Sequence, residues 1–143
     1  MKRKRTGGFT LVETLVALMA LSIGLLGIAA MQMTSLRANL GASWRTQANF
    51  LAYDIIDRIR ANRTNRASYA TAIGDAAPGG GSTANLDLTS WKDNLAAAMP
   101  GGDGSVVVNG TTITVTIQWL DSKGDRDYTG ADQTATFVTQ SQI

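Results

Sequence analysis

The sequence predicts an α+β fold, in which a long N-terminal α-helix with a transmembrane first half packs on a small antiparallel β-sheet. The run from Leu15 to Met31 contains no charged residue and, with the residues before it, reaches the length that a helix needs to cross a bilayer. Beyond it, apolar residues recur every three or four positions as far as Ile59, which indicates one buried helix face. The segment TTITVTIQW at 111–119 alternates polar and apolar residues, which is typical of a half-buried strand.

The composition of the 143 residues excludes several classes of function. Cysteine and histidine are both absent, which excludes disulfides, thiolate chemistry, most zinc sites and histidine-based triads. Four of the thirteen basic residues lie in residues 2–5, so nine basic residues face eleven acidic ones outside the first eight residues. The sequence pI of 9.2 is therefore poor support for nucleic-acid binding.

The first half of the helix allows three interpretations. The basic residues 2–5 before the apolar run favour a cytoplasmic N-terminus and a C-terminal body on the other side of the membrane. A cleaved secretory signal has the same layout, and Gly27-Ile28-Ala29 offers small residues for cleavage. A plain uncleaved anchor is the second possibility, but it explains neither Gly7-Gly8 nor Glu13. A carboxylate within a membrane segment is costly and suggests a functional site.

The residues around Glu13 support the third interpretation. A basic leader followed by Gly8, Phe9 and the run G-F-T-L-x-E resembles the leader of type IV pilins. The resemblance implies that a prepilin peptidase cleaves between Gly8 and Phe9 and methylates the new amine of Phe9. It also implies an assembly ion pair, in which Glu13 of one subunit meets the Phe9 amine of a neighbour. The alternative is that Glu13 only reaches the headgroup region.

The resemblance implies a pilin-like architecture with three parts. Residues 1–8 form a cleaved basic leader, and residues 9–31 form the transmembrane and assembly half of the helix. Residues 32–143 form a periplasmic globular domain, with the helix continuing to about residue 62. A loop and a short helix are expected to extend to about residue 100, and an antiparallel sheet to cover 105–140. The expected buried stripe of the long helix is Leu36, Leu40, Trp44, Ala48, Leu51, Ile55 and Ile59.

The end of the predicted helix, FLAYDIIDRIRANR at 50–63, resembles PilV-type minor pilins, the type IV pilus modification proteins, in its D-R-x-R-x-N pattern. At a helix C-terminus, basic side chains complement the macrodipole. The alternative is a surface for an anionic partner, either acidic pilins or DNA phosphates, although the stretch lacks the stacking aromatics of single-strand binders. The four basic residues in question are Arg58, Arg60, Arg63 and Arg66.

These resemblances imply a minor pilin that takes part in assembly or priming of a type IV pilus and has no enzymatic activity or cofactor. The implied partners are prepilin peptidase, other minor and major pilins through the N-terminal helix, and the inner-membrane assembly platform, with nucleic acid not expected. The protein would cross the inner membrane once, with a cytoplasmic N-terminus and a periplasmic C-terminal domain, and later reach the pilus at the cell surface. Two alternatives stay open: a minor pseudopilin of a type II secretion system, and a pilus-associated adhesin or DNA-uptake receptor.

The C-terminal body is predicted to contain a short helix and three strands. Residues 90–99 form the helix, capped by Ser90 and stopped by Pro100-Gly101-Gly102. Asn109-Gly110 is the predicted two-residue hairpin turn, which sets Val106 opposite Ile113. A third strand at about 134–139 directs Phe137 inward.

The loop before the third strand, LDSKGDRDYTGAD, contains the only candidate metal ligands. Carboxylates are ligands for calcium, but the spacing does not match an EF-hand, and short Asp-Gly loops are usually solvated turns. No metal site is therefore predicted. The carboxylates considered are Asp121, Asp125, Asp127 and Asp132.

Overall fold

The structure, a computed structural model, describes residues 10–121 and 133–143. The long helix α1 extends over Leu11–Ala61, 51 residues without an interruption, which confirms the predicted helix. The chain divides into two compact units, Met1–Arg37 and Ala38–Ile143. Helix α1 contributes residues to both units.

In the first unit, every described side chain from Thr10 to Arg37 is exposed. The helix has a mean hydropathy of 2.3 over its most apolar 18 residues, none of which is buried, and by length and composition it can cross a membrane. Fourteen large apolar side chains of this unit are exposed. In water such a surface is strongly unfavourable, so this part of the helix needs lipid or other helices around it.

In the second unit, the last part of α1 packs in a core with a second helix and a sheet. The predicted stripe is buried from Ala48 to Ile59, and Trp44 is partly buried against the core. The stripe was predicted wrongly at its beginning, because Leu36 and Leu40 are 56% and 41% exposed. Only the later turns of α1, from Trp44 onward, contact the core of this unit.

The second helix, α2, extends over Thr83–Ala98 and begins seven residues before the predicted start at residue 90. Its N-cap is Ser82, whose hydroxyl accepts a hydrogen bond from the Asn85 amide at 3.1 Å. Ser90, the predicted cap, is an exposed residue inside the helix. A short 3₁₀ helix at Arg63–Tyr69, which was not predicted, connects α1 to the segment before α2.

The sheet has three antiparallel strands in the order β1-β2-β3: Asp103–Asn109, Thr112–Leu120 and Thr134–Gln142. In β2 the apolar residues are buried at alternate positions, as predicted. In β3, Phe137 is partly buried and packs against the core, as predicted, although the strand is longer than expected.

The register of the first hairpin differs from the prediction by two residues. Val106 lies opposite Val115 rather than Ile113, and the turn residues are Gly110 and Thr111 rather than Asn109 and Gly110. Gly110 has a φ of 60°, so the glycine takes the first central position, as in turns that need a positive φ there. A shift of two residues keeps every side chain on the same face, and Val106 is therefore still buried.

Candidate assembly site on the N-terminal helix

The first turn of α1 contains the predicted assembly residue Glu13. The Glu13 amide donates hydrogen bonds to the backbone oxygen of Thr10 at 3.0 Å and to the Thr10 hydroxyl at 3.3 Å. Thr10 therefore caps the helix through its side chain and its carbonyl. A carboxylate in a first turn also interacts favourably with the helix dipole. Gly8 and Phe9, the predicted cleavage and methylation residues, lie outside the described residues.

Three hydroxyl side chains in this part of α1 form hydrogen bonds with the helix itself. Thr14, Ser22 and Thr34 donate hydrogen bonds to the carbonyls of Leu11, Leu18 and Ala30 at 2.9, 2.7 and 3.1 Å. Such bonds to the preceding turn let hydroxyls lie in an apolar environment without an outside partner.

The carboxylate of Glu13, unlike these three hydroxyls, has no hydrogen-bond partner within its own helix. Within residues 10–121 and 133–143 it accepts no hydrogen bond and forms no ion pair. The next acidic residue along the sequence is Asp54. An apolar environment therefore leaves Glu13 dependent on a cation or a donor from outside this helix segment.

Two families match consecutive parts of the chain. The family described as the prokaryotic N-terminal methylation motif matches residues 3–29. The family described as type IV pilin Tt1218 matches residues 30–86. The chain is a type IV pilin-like protein. No curated protein and no solved structure gave a match.

The matches confirm the predicted resemblance to type IV pilins, and the fold agrees with it. They support a pilin role in a pilus or a pseudopilus, with leader processing by prepilin peptidase and assembly with other pilins. The apolar helix and the leader together fit a membrane-anchored pilin. The closer resemblance to PilV-type minor pilins stays a prediction.

In the globular unit of this pilin-like protein, Arg58 is anchored between two helices. Its Nε donates to Asp54 Oδ2 at 3.0 Å and its Nη1 donates to Asp87 Oδ1 at 3.2 Å. Burial opposes the charged guanidinium, but the two carboxylates outweigh it and raise the pKa of Arg58. Asp87, which sequence reasoning missed, also accepts a hydrogen bond of 2.6 Å from the Tyr69 hydroxyl. Asp87 therefore joins the end of α1, the 3₁₀ helix and α2.

Two more of the four predicted arginines make contacts inside the unit. Arg60 donates to Asp57 at 2.7 Å and to the Ser141 hydroxyl of β3 at 2.6 Å. Arg66 donates to the Gly110 carbonyl of the hairpin turn at 2.8 Å. The Arg63 side chain is exposed, with no ion pair in the described part of the chain. The D-R-x-R-x-N pattern thus ties the end of α1 to the rest of the unit, a role that neither prediction included.

A buried cation at Lys92 forms a second anchor that sequence reasoning missed. Its ammonium group donates to the carbonyls of Ala72 and Asp75 at 3.0 and 2.7 Å, and to Asp103 Oδ1 at 3.1 Å. Burial of Asp103 disfavours its charge, but hydrogen bonds from the amides of Gly74 and Gly104, together with Lys92, lower its pKa below the ordinary value. Lys92 therefore ties the segment before α2 to β1.

The candidate calcium ligands are mostly outside the described residues. Asp125, Asp127 and Asp132 lie in 122–132, and Asp121 is the one described member of the set. Among residues 10–121 and 133–143, no group of three acidic side chains is placed to hold a metal ion.

Proposed function

We propose that the protein is a minor pilin, needed for assembly or priming of a type IV pilus. The observation that carries the proposal is Glu13, a carboxylate without a partner in the described residues, on an exposed apolar helix and within the match to the N-terminal methylation motif. Prepilin peptidase would cleave between Gly8 and Phe9 and methylate the amine of Phe9. Residues 1–8 would be lost, residues 9–31 would form the membrane and assembly segment, and residues 32–143 would form the periplasmic domain.

In the proposed filament, Glu13 of one subunit binds the Phe9 amine of a neighbouring subunit. A single unpaired carboxylate at the centre of a bilayer costs on the order of 3 kcal/mol. In a bundle of apolar helices, a cation at hydrogen-bond distance offsets much of this cost. Extraction from lipid into the bundle is thereby coupled to the correct axial offset between helices, because only one offset brings amine and carboxylate together.

The processing step is tested by N-terminal sequencing and mass spectrometry of the mature protein from membranes. We expect the mature chain to begin at Phe9 with a methylated amine. A functional protein that keeps residues 1–8, or that begins near Ala30, would contradict the proposal, the second result indicating an ordinary secretory signal.

The assembly step is tested by Glu13→Gln and Glu13→Ala in a strain lacking the wild-type gene. Both variants should be inserted and processed normally, but their amount in sheared filaments relative to membranes should fall at least tenfold, since about 1.4 kcal/mol corresponds to a factor of ten. Ser22→Ala is the matched control, because the Ser22 hydroxyl bonds within its own helix. Normal incorporation of Glu13→Gln would contradict the ion pair.

The choice between pilus and type II pseudopilus is tested by deletion of the gene. Loss of twitching with normal secretion of exoenzymes is expected for the proposed function, and the opposite result would favour the minor pseudopilin. The adhesin or DNA-uptake alternative has less support, because Arg60 and Arg66 already bond inside the unit.

A further inference from the structure

The outer edge of β3 has backbone groups directed away from the sheet. The Asp121 amide donates to the Gln133 carbonyl at 2.8 Å, and the Ile143 amide donates to the Thr111 carbonyl at 2.9 Å. Both pairs follow the continuous β2–β3 register. In an antiparallel ladder, alternate residues of a strand bond to one neighbour and the residues between them point the other way. The residues of β3 with outward-pointing amides and carbonyls are therefore Thr134, Thr136, Val138, Gln140 and Gln142.

Within residues 10–121 and 133–143, this edge lacks the features that usually protect an edge strand. Natural edges carry lysine, proline or a bulge, or they are covered. The nine residues TATFVTQSQ contain no charged residue and no proline, and their register with β2 has no bulge. The opposite edge of the sheet is different, because Thr71 pairs with Val106 of β1 through two backbone hydrogen bonds of 2.9 and 3.1 Å. No strand in the described part of the chain pairs with the outer edge of β3.

A groove lies beside this edge, between β3 and the side of α1 that faces away from α2. Its volume is about 710 Å³. Phe50 and Tyr53, which are 70% and 50% exposed, line it together with Phe137 and Thr136 of β3. Arg45 is its charged residue and forms no ion pair with residues 10–121 or 133–143.

We propose that the outer edge of β3 and this groove bind an extended segment of another protein, which adds to the sheet as a fourth strand. Backbone hydrogen bonds to the outward-pointing residues of β3 would supply affinity. Apolar side chains at every second position of the segment would rest on Phe50 and Tyr53, and one carboxylate would pair with Arg45. A second copy of this chain fits less well, because its own free edge strand has no acidic residue. The proposal does not depend on the filament function.

Peptide binding to the full-length chain in detergent micelles tests the proposal. The probes are fluorescent nine-residue peptides with alternating valine and threonine, in which a single glutamate replaces each valine in turn, because the valine positions face the side of the sheet on which Arg45 lies. We expect saturable binding of at least one peptide, measured by fluorescence anisotropy. Methylation of the backbone nitrogens that face β3, at the threonine positions of that peptide, should weaken binding at least tenfold, because it removes the strand hydrogen bonds to β3. Absence of binding by every peptide, or equal binding of the methylated form, would overturn the proposal.

Three variants locate the binding surface. Val138→Pro removes an outward amide without removing a bond to β2 and should weaken binding at least tenfold, whereas Val138→Thr keeps the amide and should bind normally. Arg45→Glu should reverse the preference from a glutamate peptide to the matching lysine peptide. Binding unaffected by Val138→Pro and Arg45→Glu would overturn the proposed site. Self-association of the chain that competes with the peptide and is lost in Val138→Pro would instead identify a second copy as the occupant and overturn the partner assignment.

Discussion

Replacement of Lys92 by methionine tests whether the buried ammonium group holds the globular unit together. The Lys92 side chain is 7% exposed and donates three hydrogen bonds, to the carbonyls of Ala72 and Asp75 and to the Asp103 carboxylate. Methionine fills a similar volume but donates nothing, so two carbonyls and a carboxylate lose their donor. Removing one partner of a buried ion pair costs about 3–5 kcal/mol. The Asp103 side chain is 28% exposed, so water replaces part of the lost interaction and the expected loss is about 2–4 kcal/mol.

The measurement is urea unfolding of the full-length protein in detergent micelles, followed by tryptophan fluorescence. All three tryptophans, Trp44, Trp91 and Trp119, belong to the second unit, and two of them are buried. Small domains have a total stability of about 5–15 kcal/mol, so the midpoint should fall clearly. Arg63→Met is the matched control at an exposed position and should change the free energy of unfolding by less than about 0.5 kcal/mol. A Lys92→Met variant within about 1 kcal/mol of wild type would refute the reasoning, because a buried group with three unmade bonds costs more than that.

Three further predictions concern the same unit. In Gly102→Ala the new methyl group would overlap the Leu95 carbonyl, whereas in Gly80→Ala it would meet nothing within 4 Å. Gly102→Ala should lower the free energy of unfolding by more than about 2 kcal/mol, and Gly80→Ala should leave it nearly unchanged. Equal unfolding midpoints of the two variants in urea would contradict the close approach of Gly102 to Leu95. The lowered pKa of Asp103 contributes stability above about pH 4 that is lost as the pH falls through the folded-state value, so unfolding midpoints measured from pH 5 to pH 2 should fall less steeply in Asp103→Asn than in wild type. Ser82→Ala removes the N-cap of α2 and should cost about 1 kcal/mol in the same urea experiment, while an unchanged midpoint would show that the cap contributes nothing.

Local patterns made the long helix, the strand β2 and the N-terminal motif predictable from the sequence. Helical periodicity, strand alternation and a leader motif each lie within one short segment, so no distant residue is needed to recognise them. The early start of α2 could also have been found, because Ala84, Leu88, Trp91 and Leu95 follow Ser82 at helical spacing. The prediction placed the start at Ser90 instead, because serine is an N-cap residue type at that position as well.

The tertiary structure alone decided which charged side chains meet. Arg58 pairs with Asp87 across 29 residues of sequence, and Arg60 bonds Ser141 across 81 residues. An arginine at a helix end looks the same in a sequence whether it faces a partner protein or its own domain, because the answer depends on which distant segment packs there. The hairpin register was equally undetermined, since a shift of two residues preserves the buried face and only the backbone geometry at Gly110 distinguishes the alternatives. The sequence alone therefore determined the elements and the candidate assembly segment, and three-dimensional packing determined the contacts that hold the globular unit together.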